Sequence, residues 1–97
     1  MDSKTRAILR SKATQISAIF QIGHEGITEN TIKATSDALT ARELIKISVL
    51  QTSPISPKDA LNQLAQATNS IGVCTVGQKI VLYRVSNKKG IKHILEV

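Results

Sequence analysis

Two groups of residues in this 97-residue chain have types and spacings that suit one chemistry, the holding of phosphate. The first is the run Gly23-His24-Glu25-Gly26, which stands between a strand-like and a helix-like segment. A helix N-terminus carries unsatisfied backbone N–H groups and a partial positive charge. A glycine loop entering it can bring backbone close to a phosphate. The same two glycines would equally serve a tight turn that needs positive φ. The second group is Arg6, Arg10 and Lys12. Arg6 and Arg10 lie one helical turn apart, where like charges cost an isolated helix roughly 0.2–0.5 kcal/mol, so local stability does not explain them. Guanidinium forks facing phosphate oxygens would explain them, and so would a solvated helix face.

No catalytic constellation is legible. His24 and His93 are far apart and belong to no metal-ligand spacing, and Cys74, the one cysteine, excludes an intramolecular disulfide or a cysteine cluster. It reads as a small apolar side chain within a strand. Serines and threonines are many, but none sits in an elbow or triad motif. Glu25 and Glu29 could share a site near the glycine loop, but they read better as a turn carboxylate and a first-turn helix carboxylate. The glycine run matches neither GxxxxGK[ST] nor GxGxxG. No enzyme, metal, cofactor or small-molecule substrate is expected.

The elements that must position these residues follow from periodicity. Residues 3–14 read as a helix capped by Asp2 or Ser3. Ile16, Ala18, Phe20 and Ile22 alternate as one face of a strand. Thr28 caps a second helix bearing Ile32, Thr35, Ala38, Leu39 and Arg42 at helical spacing, and Ile45, Ile47 and Val49 mark a second strand. This is a βαβ unit with glycines at its first turn. Ser56 and Pro57 start a third helix, carrying Ala60, Leu61, Leu64, Ala65 and Thr68 and ending near Asn69. Gly72 is expected to break the chain before a short strand over 73–76. Gly77-Gln78 makes a hairpin turn, and the last strand runs over 79–85 with apolar residues on both faces, as an interior strand would have. Arg84 closes that strand, either toward the basic surface or in a structural hydrogen bond. The order α-β-α-β-α-β-β predicts one α/β domain over 1–97, a two-layer sandwich with a four-stranded mixed sheet and a loosely held basic tail over 86–97.

Composition narrows the partners. The net charge is +6, of which +3 falls in residues 1–14 and +2 in residues 86–97, through Lys88, Lys89 and Lys92. A basic surface without a long apolar run suits nucleic acid better than membrane. Phe20 and Tyr83 are the only aromatics, so base stacking is poorly served and backbone contacts should dominate. The N-terminal residues lack the apolar stretch of a secretory signal, and the protein is expected to be cytoplasmic.

Four blocks, Leu9–Ala13, Ile19–Asn30, Ala41–Ile47 and Val76–Arg84, together resemble the CRM domain, and more narrowly the stand-alone bacterial YhbY-like RNA-binding proteins. The resemblance implies a fold similar to the C-terminal domain of translation initiation factor three. It also implies RNA binding on large ribosomal subunit precursors. Carried over by position, Gly23 and Gly26 shape a loop similar to that of KH domains, and the backbone around His24 and Glu25 approaches phosphates. Arg6, Arg10 and Lys12 supply the neighbouring basic helix, and Arg84 ends the last strand. Residues 43–46 match the family's helix-to-strand junction, where a structural role is expected. The family loop commonly has a basic residue after its first glycine; here His24 is followed by acidic Glu25, which repels phosphate unless it faces away or accepts from a base or ribose. The expectation is a monomeric RNA-binding protein that acts on ribosomal RNA in assembly or maturation of the large subunit. The rival is a module that meets ribosomal proteins through its sheet and uses charge only for steering. An RNA-processing enzyme has the least support.

Overall fold

Each helix begins where the sequence supplies a side-chain acceptor. In the computed structural model, which describes residues 2–86, Asp2 caps α1 (Ser3–Ala13) by accepting from the Thr5 amide at 2.7 Å. That bond holds the Asp2 carboxyl below the usual carboxylate range. Thr28 caps α2 (Glu29–Arg42), and Ser56 caps α3 (Pro57–Thr68), where proline occupies the first turn and its missing N–H leaves no bond unmade. The expected lysines and histidine of the C-terminal tail, at 88, 89, 92 and 93, lie outside the described residues.

The strands are β1 (Gln21–Ile22), β2 (Leu44–Val49), β3 (Ile71–Val76) and β4 (Lys79–Tyr83), in the order β1-β2-β4-β3. β1 runs parallel to β2, joined by α2 as the expected βαβ unit, and the other pairs are antiparallel. The first strand is shorter than its alternation predicts. Residues before Gln21 still run beside β2, with the Ile19 amide donating to Lys46 O at 2.9 Å and the Ser48 amide to Phe20 O at 3.1 Å. Consecutive Ile19 and Phe20 both pack on one core, while Ile16 joins another, so the regular pleat is lost there.

β4 is interior, as its two apolar faces require. Ile80 and Leu82 join Ile45, Ile47 and Val49 against Leu39 of α2 and Ala60, Leu61 and Leu64 of α3. This is the expected sandwich of helices on a four-stranded mixed sheet. Val81 and Tyr83 face the other way, and with Leu44 and Val73 they bury Leu9 and Ala13 of α1. α1 therefore forms a partial layer on the opposite face.

Gly72 does not break the chain; it lies inside β3, at a register shift between Gly72 and Cys74. A Cβ there would stand 2.9 Å from Leu61 Cγ, so the missing side chain is what lets α3 approach the sheet. Gly77 takes φ 58 in the β3–β4 turn, as the hairpin requires.

The junction of α2 and β2 contains no loop. Glu43 turns the chain with φ 64 while wholly buried, its amide donating to Leu39 O at 2.8 Å and its carbonyl accepting from the Arg84 amide at 2.9 Å. Its carboxylate accepts from the Ser86 amide at 2.7 Å. A non-glycine residue at positive φ costs about 1–2 kcal/mol, which these bonds offset. The structural role expected of this junction is visible in them.

Candidate nucleic-acid interface

The glycine loop is a tight turn closed by the Gly26 amide donating to Gly23 O at 3.0 Å. Only its second glycine is required by backbone geometry. Gly26 has φ 68, and a Cβ there would meet Pro54 Cγ at 3.1 Å, whereas a Cβ on Gly23 would meet only Leu50 Cδ1 at 3.8 Å. His24 and Glu25 at the tip are both exposed. With Gln21, Ile22 and Thr31 the four loop residues line a shallow concavity at the start of α2. Thr28 and Thr31 form a reciprocal cap there, each amide meeting the other's hydroxyl at 3.2 Å. The amides of Glu29 and Asn30 have no protein acceptor among the described residues and are the donors left at this helix end.

The cations predicted from sequence fall into two kinds. Arg10 and Lys12 are exposed on α1, on opposite flanks of the stripe that Leu9 and Ala13 bury. Arg6 and Arg84 are half-buried and hold carbonyls. Arg6 Nη1 donates to Gly72 O at 2.8 Å and Val73 O at 2.6 Å, gripping β3 at its irregularity. Arg84 Nη1 donates to Thr68 O at 2.6 Å, and Nη2 to Ser36 O at 2.8 Å and Thr40 Oγ1 at 3.0 Å, which ties α2 to the end of α3. The structural hydrogen bond weighed for Arg84 is thus present.

Comparison with known proteins places this geometry in a family. The sequence model of the CRS1 / YhbY (CRM) domain matches residues 1–84. The chain belongs to the CRM domain family. It is 42% identical over 88 residues to the probable RNA-binding protein YqeI of Bacillus subtilis, covering 91% of this chain and 92% of that one. A Haemophilus influenzae protein named RNA-binding protein is 27% identical over 92 residues, covering 95% and 93%. The solution structure of a hypothetical protein from Staphylococcus aureus superposes with a TM-score of 0.78 at 42% identity, covering 96% of this chain and 98% of that one.

Within this CRM domain the loop and the basic helix do not touch the same part of the sheet. α1 lies over the end where Leu44 pairs with Tyr83, while the loop follows Ile22, whose partner is Val49 at the other end. Leu44 and Val49 are five residue steps apart along β2, roughly 16 Å at strand rise. Lys46, for which the sequence implies only a structural role, and Lys79, Gln21 and Thr31, for which it implies none, also lie on the α1 side of the sheet or at the loop. The first three have a signal in hindsight, being polar positions that alternate with core residues and so share the sheet face bearing α1. Thr31 had none, because a hydroxyl replaces the usual Glu or Gln at the third helical position. Among the described residues no cluster of metal-ligating side chains occurs, and no helix is long and apolar enough to cross a membrane.

Proposed function

We propose that this protein binds RNA and acts on ribosomal RNA in large-subunit precursors, assisting their assembly or maturation. The observation carrying the reading is the match of residues 1–84 to the CRM domain, with relatives named as RNA-binding proteins. The geometry supports it with a glycine turn at a capped helix start and with Arg10 and Lys12 exposed on α1 beside Lys4. Arg10 and Lys12 neutralise phosphates. Gly23 and Gly26 hold a turn whose backbone, at His24 and Glu25, reaches a further phosphate or a ribose. Arg6 and Arg84 act chiefly by fixing the elements that carry these groups, since each already holds two carbonyl oxygens.

Attachment of this kind is electrostatic and should fall with salt. The test is sedimentation of a cell extract through sucrose at low and moderate salt, tracking this chain. Migration with large-subunit precursors, and release by salt, is the expected result. Recovery only at the top of the gradient at low salt, with particles intact, would overturn the ribosomal assignment.

A further inference from the structure

The uncovered part of the sheet lies between the two groups just assigned to RNA. On the face bearing α1, β2 presents Leu44, Lys46 and Ser48 in turn, and their partners on β4 are Tyr83, Val81 and Lys79. α1 buries Leu44, Val81 and Tyr83. It stops short of Lys79, which is exposed, and leaves Lys46 and Ser48 half-exposed. Gln21 pairs with Ser48, shares this face, and lines the concavity of the glycine loop. Lys46, Ser48, Lys79 and Gln21 thus form a continuous polar floor leading from the helix to the loop.

The chemistry of the floor is one-sided. Lys46 and Lys79 occupy diagonal positions across β2 and β4, on the order of 7–8 Å apart at their Cα atoms. No strand residue on this face is acidic, so neither lysine has a carboxylate partner from the sheet. Lys46 lies over apolar strand, which its aliphatic stem can cover while the ammonium stays in water. Aromatic platforms are missing from the open floor, because Tyr83 is buried beneath α1 and Phe20 packs on the opposite core. A surface with cations, a hydroxyl and an amide but no ring suits a phosphodiester backbone rather than stacked bases.

We propose that Lys46 and Lys79 form a second phosphate-binding track, with Ser48 and Gln21 between them and the glycine loop, so that bound RNA runs across the open sheet from α1 to the loop. This inference rests on the RNA-binding reading and extends it to a surface that the loop and helix do not include. The bound chemistry is the sugar-phosphate backbone, read without base preference.

The test measures binding of the full chain to a labelled RNA hairpin with single-stranded flanks over a series of salt concentrations. Each phosphate contact contributes about 0.7–0.9 to the slope of log K against log salt, so Lys46→Gln with Lys79→Gln should lower the slope by about 1.4–1.8. At 0.1 M salt, one decade below a 1 M reference, that is a loss of roughly 25–60-fold. The pair Lys46→Arg and Lys79→Arg should keep the slope, and all variants should keep the wild-type melting midpoint, because these side chains reach solvent. Arg10→Gln with Lys12→Gln serves as the comparison. If that pair weakens binding while Lys46→Gln with Lys79→Gln leaves affinity and slope unchanged, the sheet track is overturned and the RNA reading stands. If the wild-type chain binds no RNA, the reading beneath it is overturned as well.

Discussion

Replacing Arg84 with alanine removes the side chain whose hydrogen bonds tie α2 to the end of α3. Five donor contacts are lost, to Thr68 O, Ser36 O, Thr40 Oγ1 and, from both terminal nitrogens, Ser36 Oγ. The hydroxyls can turn to water, so the cost lies mainly in the two carbonyls, and Thr68 O belongs to the last turn of α3. Hydrogen bonds from a charged donor contribute about 1.5–3 kcal/mol each, and the site is half-buried, so water recovers part of this. The expected destabilisation is about 3 kcal/mol. A domain of this size has on the order of 5–15 kcal/mol in all, and the melting midpoint should fall by roughly 12–24 °C. Urea unfolding followed by circular dichroism should show a lower midpoint with unchanged slope. Arg84→Lys should recover only part of the loss, because one ammonium cannot fork to Ser36 and Thr68 together. RNA affinity, measured far below the melting midpoint, should stay near wild type. A variant of wild-type stability that nonetheless loses RNA affinity would refute the reasoning and give the guanidinium a direct contact.

The two glycines of the loop should separate. Gly26→Ala places a Cβ at φ 68 and against Pro54, and should cost about 1–3 kcal/mol in a urea titration, while Gly23→Ala should stay within about 0.5 kcal/mol of wild type. Loss of RNA affinity in the stable Gly23→Ala protein would then report close backbone approach at the loop. Burial first, and the Glu43 carboxylate second, push the Tyr83 hydroxyl above its ordinary value of about 10. The unfolded chain therefore releases this proton before the folded one does, and stability should fall as pH rises above about 10. Tyr83→Phe should make that alkaline decline shallower; equal slopes would show that the phenol does not contribute to it.

Local chemistry made most elements legible. Asp2, Thr28 and Ser56 are acceptors placed before helical spacing, and each caps the helix expected of it. The alternation of Ile45, Ile47 and Val49, and the two apolar faces of β4, announced strand and interior position, because burial on a pleated surface selects every second residue. The glycine loop was visible as a pattern, though which glycine the backbone needs was not. Gly72 was misread as a break because its cause is Leu61, eleven positions away in sequence. Arg6 reads as a surface cation and Arg84 as either that or a structural donor, and their partners at Gly72, Val73, Ser36 and Thr68 exist only once distant segments are packed together. Glu43 at positive φ carries no local signal, since the bonds that tolerate it come from Arg84 and Ser86. Sequence by itself determined the elements, their order and the excess of positive charge, which depend on each residue and its near neighbours. Tertiary structure alone decided which cations face solvent and which hold the fold, because a guanidinium's role is set by the acceptors that long-range packing brings to it.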